Sequence, residues 1–184
     1  MKKHLLIFIE SLFLIALLGL DRWVKLWSEN YLKTNGSVVL IPGVFQFTYA
    51  RNVGAAFSIL ENQQWFFILI AGVISCLLIY VLFKVIHSQS FSLKGLCEKW
   101  LLILIPMVLA GALGNLYDRL RYGYVIDTFD FVLIHYPIFN VADSYIVVAV
   151  IIFAVLYLFV KPFSVRLEEL LKRPEEIKSD ESDA

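Results

Sequence analysis

Asp127 and Asp143 are the residues of this chain whose type and placement best suit acid–base chemistry. Two carboxylates that share one site cannot both ionise cheaply, so one pKa rises and the pair holds a single proton. Such a pair suits peptide hydrolysis: one aspartate takes a proton from water while the other donates to the scissile carbonyl. The same two groups would also serve a proton or cation path across a membrane, or a scaffold in which they cap helices and pair with Arg119 and Arg121. Metal chemistry is disfavoured. The three histidines are His4, His87 and His135, and neither an H-E-x-x-H motif nor a Cys/His cluster occurs. No G-x-S-x-G elbow marks a serine nucleophile.

The elements that must position these aspartates are membrane helices. Of 184 residues, 60% are hydrophobic and 17% charged, against about half and a quarter in soluble domains. The excess falls in long runs, each near the roughly 20 residues that cross a bilayer. Spans are expected at residues 5–20, 65–83, 100–117 (with Pro106 inside it) and 138–160. Lys2 and Lys3 before the first run resemble a signal peptide, but no small-x-small cleavage site follows, so the run reads as a retained helix. Zero net charge gives no reason to invoke nucleic acid, and Cys76 in an apolar run and Cys97 in a polar loop make no disulfide framework.

Lys2, Lys3, Lys84, Lys94, Lys99, Lys161 and Arg166 fall on one side of this arrangement, which puts both termini in the cytoplasm. The loop between the first two spans holds two β-rich runs around Pro42-Gly43, a signal for a hairpin on the outer face. The fold class is therefore a mainly α membrane protein: four transmembrane helices with a small extracytoplasmic β-hairpin or β-sheet region. Residues 1–160 form one unit, with the β region at about 30–62. Residues 161–184 form a cytoplasmic tail, with a short amphipathic helix ended by Pro174 and then a disordered acidic stretch.

Topology brings Asp127 and Asp143 to the same outer face. Asp127 follows the third span by way of Arg121-Tyr122-Gly123-Tyr124, which reads as a turn. Asp143 is expected one to two turns inside the fourth span, with Asn140 on its face three residues earlier. Asp21 and Lys25, four apart, share a helix face and can pair. Asp118 reads as a structural partner of its neighbour Arg119, and Glu10, in the inner half of the first span, has no assigned role. Ala110, Gly111, Ala112 and Gly114 suit a close helix contact.

Several stretches together resemble lipoprotein signal peptidase, the bacterial signal peptidase II. Asp21-Arg22-Trp23-Val24-Lys25 is similar to that family's D-x-x-x-K, and Arg51-Asn52-Val53-Gly54-Ala55-Ala56-Phe57 to its R-N-x-G-A-A-F/W. The stretch from Ala110 to Arg119 is similar to A-G-A-x-G-N-x-x-D-R, Gly123 to Asp127 to G-x-V-x-D, and Phe139 to Ser144 to F-N-x-A-D-S/T. The resemblance covers about residues 5–160 in family order.

It implies an aspartic endopeptidase of the bacterial cytoplasmic membrane. Such an enzyme removes the signal peptide from diacylglyceryl-modified prolipoproteins, on the amino side of the lipidated cysteine. It implies Asp127 and Asp143 as the dyad, Asn52, Gly54, Asn115, Arg119 and Asn140 as lining or support, and Asp21 and Lys25 as a polar pair nearby. No cofactor or metal is expected, and the partners are prolipoprotein substrates and membrane lipid, with the protein a monomer. One departure stands out: Thr128 follows Asp127 where the family often has Phe or Met, a neighbour expected to pack beside the dyad. Asp130 is not expected to be catalytic. The outer hairpin is expected to clamp the substrate and shield the site from bulk water.

Overall fold

The computed structural model describes residues 3–54, 63–88, 91–92 and 95–171. The Ala55–Phe57 end of the second motif, the last part of the expected β region, Lys2, Lys94 and the acidic tail lie outside the described residues.

Among the described residues, four helices are long and apolar enough to cross a membrane. Helix α1 spans Lys3–Trp27, α2 Gln64–His87, α3 Leu96–Tyr122 and α4 Val141–Phe159. A further helix, α5, spans Lys161–Leu171. The first span extends well past its expected end near residue 20: after α1 the chain continues through a π-helical turn, Ser28–Leu32, and a last turn at Lys33–Asn35. Asp21 and Lys25 are therefore inside the helical run, where their i,i+4 spacing directs both toward α3.

Strands β1 (Val38–Ile41) and β2 (Phe45–Asn52) form the expected hairpin around Pro42-Gly43. A third strand, β3 (Val125–Asp130), adds antiparallel to β2, giving the order β1-β2-β3. Register pairs Asn52 with Val125 and Ala50 with Asp127. Paired residues point to the same face of a sheet, so this register sets Asn52 beside Asp127. Phe45, Phe47, Phe129, Phe131 and Phe139 stack around the sheet at centroid distances of 4.7–6.5 Å.

Helix α3 is the central element, packing against α1, α2 and α4. It runs unbroken through Pro106. A side chain at Gly111 would collide with the Ala142 carbonyl and Ile146, and one at Gly114 would lie 2.7 Å from an Asp21 carboxylate oxygen. The small residues thus let α4 and α1 close on α3. At its far end α3 stops at Gly123, whose left-handed φ of 76° caps the helix as its N–H donates to the Arg119 carbonyl.

Cys97 differs from its expected place in a polar loop. It lies in the first turn of α3 and is buried with Val85, Leu101, Ile105 and Phe163. The reason is α5: Phe163, Leu167 and Leu170, at i, i+4 and i+7, cover that turn. Arg166 of α5 donates twice to Glu98 Oε1, at 2.9 and 2.7 Å.

Candidate active site

Helix α4 starts at Val141, not at 138, so Asp143 belongs to its first turn. Asn140 is the N-cap. Its Oδ1 accepts the Asp143 N–H at 2.9 Å, and Asp143 Oδ2 accepts the Asn140 N–H at 3.1 Å. This reciprocal capping box satisfies two helix-end donors. The N–H of Ala142 donates to Asp21 Oδ1 at 3.0 Å, so α1 also caps α4.

Because Asn140 Oδ1 is committed to a backbone donor, its Nδ2 must face the other way. It donates to Asp127 Oδ1 at 2.7 Å and to Asn115 Oδ1 at 3.1 Å. Asn140 therefore touches both aspartates. The second oxygen of Asp127 accepts from Asn52 Nδ2 at 3.0 Å, and Asn52 is held that way round because its Oδ1 accepts the Gly54 N–H at 3.0 Å.

Asn115 completes the set. Its Oδ1 accepts from Lys25 Nζ at 3.0 Å, and its Nδ2 donates to Asp143 Oδ1 at 2.7 Å. A lysine only donates, so Lys25 fixes which end of this amide meets Asp143. Lys25 is itself held between Asp21 and Asp118, each at 2.9 Å, and all three side chains are buried. Asp118 also meets Arg22 at 3.1 Å.

Asp118 does not pair with Arg119 as expected. Successive residues on a helix point about 100° apart, so Asp118 faces α1 while Arg119 faces α2 and the loop after β2. Arg119 donates to the Gly54 carbonyl at 3.2 Å and lies 4.8 Å over the Phe67 ring. Among the described residues, neither Arg119 nor Arg121 forms an ion pair with Asp127 or Asp143. The helix-capping alternative is correct for Asp143, whereas Asp127 caps no helix.

Asp127 is 2% exposed. Burial pushes its carboxyl up from 3.8 to about 7, and the charge of Asp143 adds to the rise, while the bonds from Asn52 and Asn140 and the Lys25 charge oppose it. One carboxyl of the pair thus titrates near neutrality. Thr128 is fully buried, and Asp130 accepts from Gln46 Nε2 at 2.7 Å.

All nine residues singled out in the sequence are brought together here. Asp118 and Arg22 were missed as parts of the site's support. Asp118 lay within a quoted motif, but nothing local pointed it at Lys25, 93 positions away.

The family model described as "Signal peptidase (SPase) II" matches residues 13–159. A lipoprotein signal peptidase of Streptococcus agalactiae serotype III (strain NEM316) is 43% identical over 137 residues, covering 74% of this chain and 83% of that protein. One of Clostridioides difficile (strain 630) is 38% identical over 148 residues, covering 80% and 93%. A bacterial membrane enzyme solved by the in meso method at 2.3 Å resolution superposes with a TM-score of 0.69 at 30% identity, covering 82% of this chain and 87% of that one.

Proposed function

The chain belongs to the signal peptidase II family, and on that premise we propose that Asp127 and Asp143 are the catalytic dyad of a membrane aspartic endopeptidase. It is a multi-pass membrane protein that cleaves signal peptides from prolipoproteins. The substrates are diacylglyceryl-modified prolipoproteins, cut on the amino side of the lipidated cysteine. The protein acts as a monomer in the bacterial cytoplasmic membrane, with both termini in the cytoplasm and the dyad near the outer face. Support for that orientation comes from the basic residues Lys3, Lys84, Lys99 and Lys161 at the opposite helix ends. Residues 1–160 are the peptidase unit and 161–184 the cytoplasmic tail.

The observation that carries the reading is Asn140, which binds a carboxylate oxygen of Asp127 and the backbone N–H of Asp143 with one amide. Asp143 is the base. Its oxygens are oriented by Asn115 Nδ2 and by the Asn140 N–H at the N-terminal turn of α4. Asp127 is the acid, since its buried carboxyl retains a proton to about pH 7.

Water adds to the scissile carbonyl carbon as Asp143 takes its proton and Asp127 protonates the carbonyl oxygen. Asp143 then passes its proton to the departing nitrogen and the C–N bond breaks. Asp127 recovers a proton from the hydroxyl that becomes the new carboxyl group. The products are the signal peptide and a lipoprotein with a free α-amine. Arg119 holds Gly54, and through it the loop that aims Asn52.

The test is purified protein in detergent with a diacylglyceryl-modified prolipoprotein and its unmodified precursor, products read by mass spectrometry. Cleavage of the modified form alone, before the lipidated cysteine, is expected. Equal cleavage of both forms, or a cut elsewhere, contradicts the reading.

A further inference from the structure

Leu113 and Tyr117 of α3 lie two residues either side of Asn115, about 200° round the helix. They therefore face away from the dyad. On that side a cavity of about 360 Å³ opens between α1 and α3, lined by Leu18, Asp21, Arg22, Leu113, Gly114 and Tyr117. Leu113 also lines a second cavity, of about 170 Å³, which continues between α1, α2 and α3 toward the N-terminus of α1.

Depth and charge identify what fills the larger cavity. Trp23 and Tyr117 stand exposed at the level of Arg22, and exposed tryptophan and tyrosine mark the headgroup layer of a membrane. Arg22 carries five N–H donors. Among the described residues, Nη1 donates to Asp118 at 3.1 Å and Nη2 to Tyr122 at 2.7 Å, which leaves three. The guanidinium is also held over the Tyr117 and Tyr122 rings, at 5.4 and 5.3 Å, so its direction is set before anything binds. The Asp21 oxygens are turned to the Ala142 N–H and to Lys25, and Asp21 is buried. Beside hydrocarbon at headgroup depth, the anion that a membrane supplies is the phosphate diester of a lipid, and a guanidinium can bind two phosphate oxygens at once. Leu18, Leu113 and the Tyr117 ring suit the chain below it. From Arg22 to Leu14, a residue of the second cavity, is eight positions, roughly 12 Å along α1. A chain can run that length without reaching Glu10.

We propose that this cavity binds one phospholipid of the outer leaflet, its phosphate on Arg22 and an acyl chain between α1 and α3. The lipid is a bound component of the fold, across α3 from the dyad, and not a substrate. Because Asp118, Tyr122 and Tyr117 fix the guanidinium beforehand, little side-chain freedom is lost when the phosphate arrives. That separates a bound lipid from the exchanging lipids around the bundle.

The experiment is native mass spectrometry of the full chain, stripped of lipid in detergent and titrated with phosphatidylglycerol, with the diacylglycerol of the same chains, or with glycerol 3-phosphate. The parent is set beside Arg22→Gln, Leu113→Trp and Leu20→Trp. Leu113→Trp keeps every charge and fills the cavity from a half-buried position, so it stands in if Arg22→Gln does not fold. Leu20 is exposed on the opposite face of α1 and serves as the control. The parent is expected to bind one phosphatidylglycerol roughly tenfold more tightly than the diacylglycerol, the effect of a charge-assisted hydrogen bond, and to bind glycerol 3-phosphate more weakly than the lipid. Arg22→Gln and Leu113→Trp are expected to lower the phosphatidylglycerol affinity by roughly tenfold, while Leu20→Trp keeps the parent's value. Equal affinity for phosphatidylglycerol and diacylglycerol overturns the proposal, as does the parent's affinity in a folded Leu113→Trp. Glycerol 3-phosphate bound as tightly as the lipid would make this a free-phosphate site, and a dimer that excludes lipid would make it an interface between two copies; either result also overturns the proposal.

Discussion

The two ends of this membrane bundle treat buried charge differently. At the dyad end, Asp21, Lys25, Asn52, Asn115, Asp118, Asp127, Asn140 and Asp143 form one network in which each amide has its orientation forced by a neighbour. At the other end, Glu98 meets Arg166, and Glu10 sits in α1 beside apolar side chains. Glu98 Oε2 and Glu10 Oε2 have no hydrogen-bond partner among the described residues. A satisfied network specifies one geometry, and an incompletely satisfied pair only holds two elements together. Catalysis needs the first kind of order, and docking α5 needs only the second.

Charge removal is the strongest way to break this contrast. Lys25→Met leaves two buried carboxylates facing each other and is expected to cost about 3–5 kcal/mol. Arg166→Met strands the buried Glu98 and releases the exposed Glu169, and because Arg166 is already 27% exposed the cost is about 1–3 kcal/mol. Thermal unfolding in detergent measures both, and an equal loss would erase the distinction. Asn140→Ala comes next. It removes the amide shared by both aspartates, and kcat is expected to fall by about 10²–10³-fold, as for loss of a preorganised donor. A drop below about fivefold in a folded variant would show that the bridge is not needed.

A smaller effect comes from pH. The folded pKa of Asp127, about 7, lies above its ordinary 3.8. Its proton therefore stabilises the folded state fully below about pH 4, and that contribution is lost as pH rises through 7, at about 1.4 kcal/mol per unit within the window. Asp127→Asn should flatten this slope, and kcat/KM of the parent should decline on the alkaline side of about 7 as the acid loses its proton. An unchanged slope in the variant would show that another group is responsible. The smallest effect belongs to Glu10→Leu. Replacing an unpartnered acid beside Leu14, Ile79 and Leu109 should shift stability by no more than about 1 kcal/mol, toward greater stability, and leave cleavage intact. Loss of activity would place Glu10 in the mechanism.

Much of this site is legible in the sequence because its members sit in short ordered motifs on periodic elements. Asp21 and Lys25, four apart, announce a shared face, and Asn140 and Asp143, three apart, read as neighbours on the fourth span, though not as the N-cap and first turn that they form. The rest depends on contacts between distant segments. Asp118 reads locally as a partner of Arg119, yet helix geometry turns it to Lys25. Strand β3 is only six residues long, and it exists because β2, some 75 positions earlier, offers an edge. The extension of α1 past residue 20 escapes hydropathy because Asp21, Arg22 and Lys25 break the apolar run while their charges are met inside the fold.

The most direct measurement of the central claim is cleavage of a diacylglyceryl-modified prolipoprotein by Asp127→Asn and Asp143→Asn, each verified as folded beside the parent. Loss of cleavage in both variants, with substrate still bound, is the result this account predicts. Cleavage that survives either substitution would contradict the dyad.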